Sequence, residues 1–122
     1  MIGQESKVVI IDNSGAKTGK VIRVLKGSSA RFATVWDKVV VAIKTASPSG
    51  QIEKWSVQWA VVVRVRKEIR REDGTYIRFN DNAVVLINKN GDPIGKRIFG
   101  PVAREVRTKG FKKLATMAEE IV

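Results

Sequence analysis

The chain contains neither cysteine nor histidine, and these two absences remove most of the side chains that proteins use for chemistry. Without cysteine there is no disulfide framework and no thiolate metal site, and a reducing compartment suits the protein. Without histidine the chain lacks the usual proton carrier near neutral pH and the commonest metal ligand. We therefore expect no metal site and no cofactor, and most hydrolytic mechanisms lose their usual groups.

Long apolar runs are also missing. No stretch approaches the roughly 20 apolar residues that a membrane helix needs. The N-terminal sequence MIGQESK lacks the basic-then-apolar order of a signal peptide, so we expect a soluble protein that keeps its N-terminus. A length of 122 residues suits one core, and we predict a single domain over residues 1–122.

Acidic residues are scarce relative to basic ones. The sequence has 12 Asp and Glu against 23 Lys and Arg, a formal net charge of +11. Such a chain repels itself in isolation but suits a polyanionic partner, and nucleic acid is the leading candidate. A basic surface that is simply solvated is the alternative.

Candidate catalytic groups are few. Glu119 and Glu120 lie at the end of the chain, and Asp81, between two asparagines, is typical of a turn. No serine stands with a lysine in a recognisable nucleophile pattern. We predict no catalytic residue, and a small enzyme is the disfavoured alternative.

Valine and isoleucine, by contrast, are abundant in short runs separated by turn-forming clusters, a pattern that predicts strands. The predicted strands cover residues 7–12, 20–25, 37–46, 56–66, 75–79 and 83–87. None of the separators can hold a crossover helix, so the sheet should be antiparallel. Curling it into a small barrel would remove its edges.

Alternation within these runs predicts which face is buried. The residues predicted to face the core are Val39, Val41, Ile43, Val61, Val63 and Val65. Arg64 and Arg66 alternate with Val63 and Val65 and should face outward. The outer face is therefore predicted to be basic.

Residues 64–78 read RVRKEIRREDGTYIR, and Asp73-Gly74 is a strong turn signal between strand-like residues. We predict a hairpin that projects beyond the barrel. Its cations are Arg64, Arg66, Lys67, Arg70, Arg71 and Arg78. A salt-laced solvated hairpin is the alternative, but so many guanidinium groups favour two-pronged grips on phosphate.

The segment DNSGAKTGK, residues 12–20, resembles a phosphate-binding loop at first sight. The strict pattern needs four residues between its glycines and a hydroxyl after the lysine. Here three residues separate Gly15 and Gly19, and Val21 follows Lys20. The segment therefore predicts a turn between strands, with no nucleotide site.

After Pro101 the strand pattern stops. Phe111, Leu114, Ala115 and Ala118 have the spacing of a helix with one apolar face. We predict a barrel over about 1–100 and a helical segment over about 102–122, whose apolar stripe packs on the barrel. Aromatic residues are scattered, which argues against a base-stacking platform.

Several separated blocks, in order, resemble the universal large-subunit ribosomal protein fourteen family of bacteria and organelles. They are residues 12–16, 60–64, 70–71, 73–74, 77–79, 82–83, 93–95, 97–101 and 102–107. The likeness extends over nearly the whole chain. It implies a mainly β fold, namely a small closed five-stranded antiparallel barrel with a projecting β-ribbon and short C-terminal helices.

The resemblance also implies a structural constituent of the large ribosomal subunit. Its partners would be large-subunit rRNA, neighbouring large-subunit proteins, small-subunit rRNA across the interface and a ribosomal silencing factor. It would lie in the ribosome, in the bacterial cytoplasm or an organelle. The alternative is a free-standing single-strand nucleic-acid-binding barrel, which should show stacking aromatics on one face.

From the charge pattern and this resemblance we select candidate contacts. The residues predicted to bind rRNA are Lys17, Lys20, Lys44, Lys54, Arg64, Arg66, Lys67, Arg70, Arg71 and Arg78. Those predicted for the subunit-interface side are Arg97, Arg104, Arg107 and Lys109. The chain departs from the family pattern at Trp36, Glu68, Glu72 and Lys96, where members commonly have Gly, Gly, Pro and Thr, and within 28–31 and 115–119.

Overall fold

The computed structural model of the chain describes residues 2–25, 32–108 and 110–122. Within these ranges the strands are β1 (Ile2–Gly3), β2 (Lys7–Ile10), β3 (Ala16–Val24), β4 (Phe32–Ala33), β5 (Lys38–Ala46), β6 (Val57–Arg64), β7 (Ile69–Arg70), β8 (Tyr76–Ile77), β9 (Ala83–Ile87), β10 (Ile98–Val102) and β11 (Ala118–Ile121). The helices are α1 (Glu105–Thr108) and α2 (Lys112–Met117). Neither of these helices could cross a membrane.

Five strands close into a barrel in the order β2-β3-β5-β6-β9. The pairs β2–β3, β3–β5, β5–β6 and β6–β9 are antiparallel, whereas the closing pair β2–β9 is parallel. The mainly β class and the closed five-stranded barrel are confirmed. An odd number of strands cannot alternate in direction all the way round a closed sheet, so one pair must depart from the antiparallel expectation.

The strand β5 alternates as predicted. Val39, Val41 and Ile43 are fully buried, and the residues between them are half-buried. β-Branched side chains favour this arrangement because they pack well on a pleated surface. The buried positions of β5 form one side of the barrel core.

Burial in β6 and β9 is more complete than alternation predicts. Val61, Val63 and Val65 are all fully buried, but the prediction that Val61 faces the core is wrong, since it lies opposite Lys38 on the outer face. Val62 lies opposite Val84, which also lies opposite Ile10, so the core face of β6 carries Val62. The outer side is covered here, since the Ala103 amide donates to the Val63 carbonyl at 3.1 Å. The outer face of β6 is therefore not uniformly basic.

The segment after β10 differs from the predicted helical stretch. Leu114 and Ala115 are buried, as the apolar stripe predicts. Ala118, however, begins β11, which pairs in parallel with β10 through Ile98–Ala118 and Val102–Ile121. The exposed edge of β10 offers main-chain partners that a continued helix could not use, and local sequence carries no signal of this long-range pairing.

The turn between β2 and β3 holds distant segments together. The buried Asp12 carboxylate accepts hydrogen bonds from the Ser14 hydroxyl at 2.6 Å and from the Leu86 amide at 3.1 Å. Asn13 Oδ1 accepts from the amides of Lys96 and Arg97 at 2.7 and 3.1 Å. The residues that suggested a phosphate loop thus perform a structural task.

Candidate nucleic-acid interface

A basic groove of about 520 Å³ lies over the outer face of β2 and β3. Its walls are Lys7, Val8, Val9, Thr18, Gly19, Lys20, Lys44, Arg66, Asn80, Asp81 and Asn82. We call this surface the basic groove. It brings together three of the residues predicted to bind rRNA, and it adds Lys7.

Strand register places the three lysines on one face. Lys7 lies directly opposite Lys20 in the β2–β3 pair, and Lys20 lies opposite Ala42 in β5. Lys44 is two residues farther along β5, so its side chain leaves the same side of the sheet as that of Ala42. Three strands thus direct ammonium groups outward while the alternate residues, such as Val21 and Val41, fill the core.

Arg66 reaches the groove from beyond the end of β6. Its amide donates to Asn82 Oδ1 at 2.9 Å, which fixes the main chain beside the turn that precedes β9. The residue is exposed. The main chain of Arg66 is therefore fixed, while its exposed guanidinium can reach a ligand.

Of the described residues that line the basic groove, one is a carboxylate. Asp81 is paired with Arg64, with Nε–Oδ1 and Nη2–Oδ2 distances of 3.2 and 3.3 Å. Outside the groove, Glu5 lies 3.8 Å from the Lys20 ammonium, but its side chain is 83% exposed, so this contact is weak. The four cations thus exceed the opposing charge, and the groove is electropositive.

Lys54 lies next to the basic groove, because it and the groove residue Lys44 face the same Trp55 ring. The ammonium groups of Lys44 and Lys54 face the indole ring, 4.8 and 5.2 Å from its centroid. Lys54 is exposed, and so is Lys17 on β3. Both can extend the groove's footprint.

The predicted ribbon is confirmed as the hairpin β7–β8, with Ile69 opposite Ile77 and Arg70 opposite Tyr76. Its turn is held by Asp73, whose pKa is lowered below the ordinary value because the hydroxyl and amide of Thr75 donate to its carboxylate. The strands are only two residues long, shorter than the alternation predicted.

The cations of the ribbon have unequal freedom. Lys67, Arg70 and Arg78 are exposed, although Lys67 lies 3.4 Å from the Glu68 carboxylate. Arg71 is largely covered: its Nε donates to Glu105 at 2.9 Å and its Nη2 to the Val122 main-chain oxygen at 2.5 Å. Arg64 is likewise held by Asp81, with 12% of its side chain exposed.

The described residues predicted for the subunit-interface side have different local surroundings. Arg104 shares a depression of about 430 Å³ with Arg70 and Arg71 of the ribbon. Arg107 lies beside Lys112 in another depression. Arg97 faces the ring of Phe99, with 5.8 Å between the guanidinium carbon and the ring centroid. Lys109 lies outside the described residues, as does the departure within 28–31.

Sequence reasoning missed two parts of the basic groove, namely Lys7 and the turn 80–82, which forms one of its walls. Lys7 begins a predicted strand in which Val8 is buried, so the same alternation that exposed Lys20 could have indicated it. The role of the turn had no local signal, because it meets β2 only when the barrel closes.

Comparison with known proteins identifies the family of the chain. The profile of the family described as Ribosomal protein L14p/L23e matches residues 1–122. The chain is 54% identical over 121 residues to the large ribosomal subunit protein uL14 of Petrotoga mobilis, covering 99% of each sequence. The chain therefore belongs to the ribosomal protein L14p/L23e family, and it is a structural component of the ribosome rather than an enzyme.

Proposed function

We propose that this protein binds large-subunit rRNA through the basic groove. The observation that carries the proposal is the convergence of Lys7, Lys20, Lys44 and Arg66 from three strands and a loop. Cations fixed on a rigid sheet can meet several phosphates at once, so binding would follow the shape and backbone of folded RNA more than its base edges.

Exposure divides the predicted contacts into two groups. Lys20, Lys44 and Arg66 form the centre, and the exposed Lys17, Lys54, Lys67, Arg70 and Arg78 extend it. Arg64 and Arg71 already have carboxylate partners, and we assign them to holding the turn 80–82 and the ribbon in place. An rRNA phosphate would have to compete with those partners.

Salt dependence tests the groove. The double variant Lys20→Gln/Lys44→Gln should weaken binding to deproteinised large-subunit rRNA, and the slope of log affinity against log salt should fall by about two. The control Lys89→Gln/Lys112→Gln removes the same charge from exposed positions outside the groove. Equal slopes for the two double variants, measured by filter binding, would refute the groove as the site.

The second part of the proposal concerns the subunit interface. Arg97, Arg104, Arg107 and Lys109 contact small-subunit rRNA across the interface, and a silencing factor that blocks subunit joining docks on the same side. Support comes from the exposure of the three described arginines. Large subunits carrying Arg97→Gln and Arg107→Gln should join small subunits less completely in sucrose gradients, while their rRNA binding stays intact.

Co-sedimentation separates this function from a free-standing single-strand-binding barrel. The tagged protein should sediment with large subunits in a bacterial lysate and stay there after a moderate salt wash. A pool that remains free, or that follows single-stranded nucleic acid instead, would favour the alternative.

A further inference from the structure

Trp55 is a large apolar side chain on the surface. Its exposed fraction is 64%, and it lies in the turn between β5 and β6. Its φ is +72°, in the left-handed region that bulky residues avoid. Local preference does not account for this conformation, since glycine or asparagine would adopt it with less strain.

The surrounding main chain holds the Trp55 backbone in place. The Trp55 amide donates to the Ile43 carbonyl at 2.7 Å, and the Ile43 amide donates to the Ser56 carbonyl at 2.9 Å. Ile43 is fully buried in the barrel. The turn that carries the indole is therefore hydrogen-bonded to β5 through its main chain.

Two ammonium groups accompany the ring. Lys44 and Lys54 lie 4.8 and 5.2 Å from its centroid, and Lys44 also lines the basic groove. The aromatic surface is thus continuous with the electropositive surface. A flat π-face beside two cations has the composition of a site for a nucleotide whose base is unpaired.

We propose that Trp55 stacks on one unpaired base of the bound RNA, while Lys44 and Lys54 bind the phosphates beside that base. The proposal rests on the rRNA binding proposed above and adds that the RNA bound at Trp55 is single-stranded. A base stacked on an aromatic ring gains more than an exposed ammonium does. A base can therefore displace a lysine from the ring, and the released ammonium then pairs with phosphate.

The test measures affinity for two labelled RNAs, a short single-stranded oligoadenylate and an RNA duplex, by fluorescence anisotropy. Trp55→Leu should weaken single-strand binding by about 5- to 150-fold and leave duplex binding unchanged. Trp55→Phe, which keeps a ring, should lose less. Phe99→Leu is the control, because it removes a different exposed ring that also faces a cation.

Intrinsic fluorescence gives a second measurement on the same proteins. The oligoadenylate should quench the wild type, and the quenching should be absent in Trp55→Leu. If Trp55→Leu binds the single strand as tightly as the wild type, while wild-type binding to rRNA keeps its steep salt dependence, stacking is refuted and the groove stands. If the wild type shows no salt-dependent rRNA binding, the proposed function fails and stacking fails with it.

Discussion

Gly15 adopts a φ of +102° in the turn between β2 and β3, and a Cβ atom there would lie 2.5 Å from the Gly50 Cα. Gly74, in the ribbon turn, has a similar φ of +86°, but a Cβ atom at this position would have none of the described residues' atoms within 4 Å beyond its chain neighbours. Substituting each glycine in turn therefore distinguishes the cost of backbone strain from the cost of steric overlap.

Gly15→Ala should lower the free energy of unfolding by about 2–4 kcal/mol, since strain and overlap with the Gly50 main chain add. The matched Gly74→Ala should lower it by about 1 kcal/mol, from strain alone. Urea denaturation of both variants checks this. Equal losses would show that the Gly15–Gly50 contact relaxes without cost.

Asp12 is the buried carboxylate of the same turn. Burial raises its pKa above the ordinary 3.8, and the hydrogen bonds from Ser14 and Leu86 only partly oppose that rise. The folded protein thus binds this proton more tightly than the unfolded chain does. The resulting stabilisation is complete below about 3.8 and is lost as the pH rises through the folded-state pKa.

Asp12→Asn removes this titration and leaves one side of the site without an acceptor. At low pH the variant should be less stable than the wild type by about 1–3 kcal/mol. The difference should shrink as the pH rises towards 7. Urea unfolding at a series of pH values measures it, and a difference that grows with pH would contradict the expected sign.

Trp36 adopts a backbone conformation that suits glycine better than tryptophan. Its φ is +72°, in the left-handed region. Its amide still donates to the Val62 carbonyl at 2.9 Å, and the ring packs partly against the core. The resemblance predicts that Trp36 departs from the family pattern, but the sequence carries no signal that its backbone is left-handed.

At the scale of elements, Arg71 ties the ribbon to the C-terminal segment. The side chains of Arg71 and Glu105 are 15% and 17% exposed, and Glu105 Oε2 is buried without a hydrogen bond from the described residues. Removing the guanidinium would leave that carboxylate uncompensated. A partly buried pair of this kind is worth more than a surface pair.

Arg71→Gln should therefore lower the free energy of unfolding by about 1–3 kcal/mol and speed amide exchange in β7 and β8. Lys67→Gln, which breaks the exposed pair with Glu68, should cost less than about 0.5 kcal/mol. Hydrogen exchange and urea denaturation measure both effects. Unchanged exchange in the ribbon would mean that Arg71 does not anchor it.

Sequence reasoning predicted the elements whose signal is local. Alternation identified β5, and Asp73-Gly74 identified the ribbon turn. It missed the β10–β11 pair, because Gly100 and Pro101 weaken a strand pattern and residues 118–121 continue a helical one. It also gave no sign of the Arg71–Glu105 pair, since Glu105 is 34 residues away and becomes the neighbour of Arg71 only in the fold.

At the scale of the whole molecule, the net charge of +11 acts on the free and bound protein in opposite directions. Salt screens repulsion among the cations, so the free protein should melt at a higher temperature as salt rises. The same salt should weaken rRNA binding. Differential scanning fluorimetry with and without rRNA should show the two trends, and a common direction would contradict the electrostatic account.

Bound rRNA should also stabilise the fold by mass action. At about 100 times the dissociation constant the gain is about 2.7 kcal/mol, or roughly 10 °C for a chain of this size. The Lys20→Gln/Lys44→Gln variant should gain less at the same rRNA concentration. A gain equal to that of the wild type would place the binding elsewhere.

The parallel seam between β2 and β9 affects the order of assembly during synthesis. Val9 and Ile10 meet Ala83 and Val84, more than seventy positions downstream. A growing chain therefore emerges from the ribosome with one side of its second strand unpaired, and the cylinder cannot be completed until that distant partner has been translated.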